Sequence, residues 1–299
     1  MLMDELLFAY LLATEKPEGI NVLLNPFQLY TIPLDDWISQ SIEFIVKNFR
    51  PFFQTISLPI GWGLKRIEWG VSAIPPLIFI IIIGILAWKL AGKKIAIYSI
   101  ISLTLIGFVG AWEQAMVSLA LVVTAVLFCL MVGIPVGVIS AKNDPLERVI
   151  RPLLDVMQTL PSFVYLVPVV MLFGIGEVPG VIATIIFAIP PLIRLTNLGI
   201  RQVSPEVTEA AIAFGSTPWQ VLWEAQIPLA MPTILAGVNQ AILMALSMSV
   251  VTSMIAVPGL GQMVLQGVGR LDVGLAAVGG LGIVLLAIML DRMTQAISQ

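Results

Sequence analysis

Seven long stretches of this chain carry no charge. Between successive Asp, Glu, Lys and Arg residues the uncharged runs are 69–88, 95–112, 114–141, 156–176, 178–193, 225–269 and 273–290. A helix needs roughly 20 residues to cross about 30 Å of hydrocarbon, and most of the runs are near that length. Only 11% of the 299 residues are charged, against about a quarter in soluble domains. An ordinary soluble enzyme is excluded, and the pattern predicts an all-α polytopic membrane protein.

Several chemistries are closed to such a chain. It has no His and one Cys, Cys129, inside an apolar run. A zinc site, an iron–sulfur cluster, a disulfide framework and a Cys/His nucleophile are therefore not expected, and no metal site is assigned. Cys129 reads as a small buried hydrophobe. A net charge of −3 gives no reason to expect nucleic acid. The start, Met1–Leu12, carries Asp4 and Glu5 without a basic region, so it does not read as a cleaved leader.

Residues 1–70 form the least membrane-like part, with Pro17, Pro26, Pro33 and Pro51 interrupting the pattern. Leu34, Ile38, Ile42, Ile45, Phe49, Phe52, Phe53 and Ile56 recur at three- and four-residue steps. Asp36, Gln40, Glu43, Lys47, Arg50 and Gln54 recur on the opposite side. That period predicts an amphipathic helix over 34–56, kinked near Pro51. Its apolar stripe can lie in the lipid interface or pack on the bundle; the interface is the favoured place.

The predicted spans are 73–89, 95–112, 115–141, 156–174, 178–194, 229–255 and 273–290. The second half of the run 225–269 is Gly-rich, contains Pro258 and is too short to cross. It reads as a loop or re-entrant turn that protein must cover. Under this count of about seven, Lys89, Lys93, Lys94, Lys142, Arg148, Arg151, Arg194, Arg201 and Arg292 all fall on one side of the membrane. That side is cytoplasmic by the bias of Lys and Arg in short loops. The tail 1–70 is then outside and the C-terminus inside. Residues 71–112 hold two peripheral spans and 113–299 a five-helix core.

A chain of this kind can be a channel, a secondary transporter, an intramembrane enzyme or the membrane part of a pump. Ion-coupled carriers place ionisable groups at membrane depth, whereas here every one lies at or near a predicted span end. A P-loop is absent; near Gly92-Lys93-Lys94, Ala87 stands where the first Gly belongs. If ATP drives transport, a separate subunit hydrolyses it.

The most informative segment is the cytoplasmic loop 203–228. Ser204, Pro205 and Glu206 form a helix start: a capping oxygen, a Pro at the first position and an acid at the positive dipole end. Gly215 ends that helix. Thr217-Pro218 starts a second short helix, predicted to stop before Ile227-Pro228. Two short helices joined at a Gly, presenting Ala210, Ala211, Phe214 and Trp219, suit docking on another protein. The alternative is a loop packed on its own bundle.

At these residues the chain resembles a known family. Glu209-Ala210-Ala211, Gly215 and the later Ala225-Gln226-Ile227-Pro228 resemble the EAA loop of permeases in binding-protein-dependent ABC importers. Ala225 departs from that pattern, which often has a larger aliphatic there. The resemblance extends over about 70–295. The blocks Arg151–Pro168, Pro190–Arg201 and Ala245–Ser249 are similar to the glycine betaine/proline branch. It implies a type I ABC importer permease fold and a transport subunit rather than an enzyme, in the plasma (inner) membrane of a prokaryote. It implies import of a compatible solute such as glycine betaine, proline betaine or choline, serving osmoprotection. The implied partners are a second copy of the chain, two ATPase subunits carrying ATP and Mg, and an external solute-binding protein; this chain itself binds no cofactor. An amino-acid or methionine importer with the same machinery stays open, as does a passive channel or scaffold.

For a path, the spans supply neutral polar groups. Gln158, Thr159, Ser162 and Tyr165 cluster around Pro161, and Asn239, Gln240, Ser247, Ser249, Thr252 and Ser253 fall along the sixth span. Any single Ser can equally serve close helix packing, but as a set these residues are the predicted lining.

Overall fold

A computed structural model of the chain describes residues 32–297, the side chain of Ile297 excepted, and among the described residues every regular element is helical. The readings of Met1–Leu12, Pro17 and Pro26 lie outside them. The chain divides into a unit ending at Asn48 and another from Phe49 onward.

Helix α1, Leu34–Ser72, runs from the first unit into the second. It is longer than the predicted 34–56 and continues through Pro51 and Pro59. Within the second unit, Phe52 and Ile56 are exposed, whereas Ile60 and Leu64 are buried with Ala125, Val181 and Met248. The last turns of α1 therefore pack on the bundle. Next come α2, Pro76–Ala91, and α3, Lys93–Phe108, joined at Gly92 with φ of +84°.

The core follows as α4, Trp112–Lys142; α5, Asp144–Thr159; a 3-10 turn, Ser162–Tyr165; α6, Leu166–Phe173; α7, Glu177–Arg201; and α8, Pro205–Ala213. A turn Pro218–Gln220 and a π-helical stretch Val221–Gln226 lead into α9, Ile227–Thr252. A 3-10 turn Ser253–Ile255, α10, Leu260–Arg270, and α11, Val273–Ile297, complete the chain. Four helical bodies are long and apolar enough to cross a membrane: Trp112–Lys142, Glu177–Arg201, Pro218–Ile255 and Val273–Ala296. Two bent pairs, α1 with α2 and α5 with Ser162–Phe173, raise the number to six. The predicted spans 73–89 and 95–112 form as α2 and α3, each of 16 residues, which is about 24 Å of helix.

Helix α7 lies between α4 and α9, and small residues allow the approach. A Cβ on Gly137 of α4 would sit 2.6 Å from the Thr196 Cβ of α7. Leu192, Leu246, Leu286 and Met289 are buried in one apolar core shared by α7, α9 and α11. Cys129 is buried as expected, its thiol donating to the Ile185 carbonyl at 3.8 Å.

Two predicted elements differ. The fourth span, 156–174, is not one rod: the chain turns by 108° between α5 and the Ser162–Phe173 segment. Pro161 forces Leu160 out of the helical region, to φ −65° and ψ 136°. The Tyr165 hydroxyl then donates to the Met157 carbonyl across the break. The Gly-rich run 257–269, read as a loop or re-entrant turn, holds a short helix, α10, and not an irregular loop; its 11 residues are too few to cross. Its glycines permit close backbone contact. A Cβ on Gly261 would lie 2.1 Å from the Ser249 carbonyl oxygen, and the Leu260 N–H donates to Ser118 Oγ at 2.8 Å.

Candidate coupling and translocation site

Helix α8 forms for the reasons its sequence supplies. Ser204 Oγ accepts from the Glu206 N–H at 3.3 Å, Pro205 occupies the first turn, and Gly215 takes φ of +90°. Past the end of α8 the Ser216 N–H donates to the Ala211 carbonyl at 3.0 Å, the six-to-one bond of a Gly-terminated helix. Two residues on, Thr217 and Gln220 cap each other. The Gln220 N–H donates to Thr217 Oγ1 at 3.3 Å, and the Thr217 N–H to Gln220 Oε1 at 2.8 Å. The T-x-x-Q spacing was the signal for this box.

The two turns present a bare aromatic surface. Phe214 is 93% exposed and Trp219 67%, and the Trp219 and Trp223 rings meet edge to face at 5.6 Å. Glu209, Ala210 and Pro228 are exposed and Ala211 is half-buried. The second short helix does not stop before Ile227-Pro228. It runs through the π-helical stretch into α9 as one body, Pro218–Ile255. Pro228 offers no N–H and crowds the carbonyl four residues back; the wider π turn takes up that mismatch. Trp219 and Trp223 thus stand on the first turns of the body that continues into α9, with Phe214 on the turn before it. Leu222 is buried with Ile200, Ala230 and Ile234, and Lys142 Nζ donates to Gln226 Oε1.

The predicted path residues come together in part. The Ser162–Tyr165 turn packs against α9, which brings the two polar groups into one neighbourhood. Gln158, Thr159 and Pro161 are exposed, Ser162 is half-buried and Tyr165 is buried. On α9, Gln240 and Ser247 are exposed on one face, two helical turns apart, with Leu243 between them. Ser249 is half-buried, while Thr252 and Ser253 are only 2% and 4% exposed and sit in the packing. Each of these hydroxyls donates within its own chain segment: Ser247 to Met244, Ser249 to Leu246, Thr252 to Met248 and Ser253 to Val250.

Sequence reasoning missed a partner. Asn239 donates to Asp291 Oδ1 on α11, and Gln295 Nε2 lies 2.9 and 3.0 Å from the two Asp291 oxygens. Asp291 marked the end of the predicted last span, but α11 continues to Ile297 and holds the carboxylate inside the helix. Elsewhere in the core, Arg201 binds Asp144 at 2.7 Å and Glu147 at 3.0 Å, and Arg194 binds Asp155. These pairs fasten α7 to α5. Among the described residues no cluster of three or more His, Cys, Asp or Glu could hold a metal.

Comparison with known proteins bears on this arrangement. Residues 133–299 match the family model described as binding-protein-dependent transport system inner membrane component. The chain is 53% identical over 292 residues to the glycine betaine/proline betaine transport system permease protein ProW of Escherichia coli (strain K12), covering 97% of this chain and 82% of that one. It is 46% identical to the glycine betaine/carnitine transport permease protein GbuB of Listeria monocytogenes serotype 1/2a (strain 10403S), covering 90% and 96%. Among solved structures, an inward-facing MetNI methionine ABC transporter chain matches with a TM-score of 0.54 at 21% identity, covering 65% of this chain and 97% of that one. That likeness concerns the fold alone.

Proposed function

The chain belongs to the binding-protein-dependent transport system inner membrane components, and from that membership we propose how it works. It is the membrane-spanning subunit of an ATP-driven importer of compatible solutes of the glycine betaine and proline betaine type. Two copies span the inner membrane, with the N-terminal tail outside and the C-terminus in the cytoplasm. Two separate ATPase subunits, carrying ATP and Mg, dock on the loop 203–228, and an external binding protein delivers the solute. Residues 1–70 act as the outer tail, 71–112 as peripheral helices and 113–299 as the transporting core.

The observation that carries the coupling role is the exposure of Phe214 and Trp219 on turns that continue into α9. A push on that surface moves a single body reaching to Ile255. Aromatic side chains left in water are costly unless a partner covers them. The ATPase motion thereby becomes a tilt of α9, along which Gln240 and Ser247 face the open side. For the solute, support comes from relatives named for glycine betaine, proline betaine and carnitine. Neutral polar groups suit a compact zwitterion, because an unpaired fixed charge would hold one end and slow release.

The test is reconstitution of the permease with its ATPase and binding protein in vesicles. ATP-dependent accumulation of labelled glycine betaine is expected. Uptake of methionine without betaine would replace the solute assignment, and ATP-independent leakage would make the chain a channel.

A further inference from the structure

A cavity of about 310 Å³ lies between α5 and α7, lined by Arg151, Leu154 and Asp155 from α5 and by Arg194 and Asn197 from α7, with Glu147 at its edge. It has the smallest useful size for a small-molecule site, roughly 300 Å³. Three of its polar residues are short of protein partners, and one of them has a buried donor with none. Asn197 is 8% exposed, and its side chain makes no hydrogen bond among the described residues. Arg194 Nε is buried without a partner although the same guanidinium pairs with Asp155. Arg151 makes no ion pair among the described residues. A buried N–H with no partner is costly, so the structure leaves the Arg194 Nε donor waiting in a hole large enough to hold what it would bind.

Charge decides what fits. Arg151 and Arg194 are balanced by Glu147 and Asp155, so the lining has no net charge while both signs are present. That suits a group bearing a carboxylate and a cation together better than a simple anion. Position adds to this: Arg151, Asp155 and Gln158 follow one another at four- and three-residue steps on α5, so the cavity shares a helix face with the exposed Gln158 at the bend.

We propose that this cavity is a cytoplasm-side holding site for the transported zwitterion, which rests on the solute class assigned above. Arg151, Arg194 Nε and the Asn197 amide receive the carboxylate, and Asp155 and Glu147 face the cationic end. Such a site would keep the solute briefly at the inner edge of the path before release. It would also let accumulated solute return to the open permease.

The experiment uses the permease with its ATPase subunits in nanodiscs, without binding protein, and labelled glycine betaine as probe. The wild type should bind one betaine per permease chain. Asn197→Asp keeps the side-chain volume but opposes the carboxylate, and it should weaken binding at least tenfold. Arg151→Gln, at an exposed side chain where folding is not at stake, should do the same. Binding in both variants equal to wild type overturns the site. So does native mass spectrometry showing that the cavity residues retain a phospholipid, lost in both variants, while betaine binding is unchanged. Vesicle uptake by the wild type separates the two levels: no betaine uptake refutes the function and the site together, whereas normal uptake with unaltered variant binding refutes the site alone.

Discussion

Asn239 on α9 hands a side-chain hydrogen to Asp291 on α11, 52 residues further along the chain. The Asp291 side chain is 16% exposed, so the carboxylate relies on Asn239, Gln295 and, at 3.9 Å, Arg292 Nε in place of water. Removing one partner of such a pair strands the other, whereas removing both with apolar groups of similar shape is nearly neutral. Asn239→Leu should therefore lower stability by about 1–3 kcal/mol. Adding Asp291→Leu should restore most of the loss. Thermal melting of the purified single and double variants checks this, and additive losses would show the pair to be uncoupled.

A second prediction concerns Gly215. Nothing lies within 4 Å of where its Cβ would be, but its φ is +90°. A β-branched residue there suffers from backbone strain, not from a clash, at roughly 1–2 kcal/mol. Gly215→Val should reorient the turn joining α8 to Thr217 and impair ATPase docking while the spans stay folded. Gly215→Asn, which tolerates positive φ, should be milder. Normal substrate-stimulated ATP hydrolysis in Gly215→Val would count against the coupling role.

Two glycines of α10 should behave oppositely. Gly261→Ala drives a methyl to within 2.1 Å of the Ser249 carbonyl oxygen, whereas Gly269 has open space. The first substitution should cost about 1–3 kcal/mol by overpacking. The second should be neutral or stabilise by up to about 1 kcal/mol, because Ala is the better helix former. Melting in detergent distinguishes them.

For the path, Ser247→Ala and Ser249→Ala should change transport rate by less than about threefold and leave solute preference unaltered, since each hydroxyl already serves its own helix. Ser247→Leu, on the open face, should stop uptake with melting unchanged. Ser249→Leu, half-buried beside α10, should lower the melting temperature instead. A sharp switch of solute preference in either Ala variant would place specificity in this chain and not in the binding protein.

Topology gives a further prediction. With Cys129 replaced, a Cys at Gln40 should react with an impermeant thiol reagent added to intact spheroplasts. Labelling only after permeabilisation would reverse the orientation drawn from Lys and Arg.

Much of this fold is legible in the sequence. Uncharged runs outlined α4, α7, α9 and α11, and short-range capping chemistry marked both ends of α8. Several features are not, each for a physical reason. Pro161 sits in a run apolar enough to read as one span, and hydropathy does not register a break in direction. Pro228 looked like a stop, yet a π turn lets a helix pass through it. Asp291 followed the last apolar run directly, and its partner Asn239 lies on another helix, which spacing along the chain does not reveal. The placement of Thr252 and Ser253 in packing was hidden likewise, because alternation along α9 says which residues share a face but not what covers it.

The bend at Pro161 also has a consequence for synthesis. Helix α6 contains eight residues, about 12 Å of helix, and α5 before it is studded with charge. Neither piece offers the insertion machinery a segment that would hold itself across a bilayer. Leu166 and Val169 find their burial against Val181, Ile182 and Ala183 of α7, residues still inside the ribosome when Phe173 emerges. With a spacer long enough to clear the ribosome, a nascent chain ending at Phe173 should therefore leave a Cys placed at Leu166 open to an impermeant thiol reagent, and one ending at Arg201 should protect it. The broken helix is a passenger that boards only when its neighbour arrives.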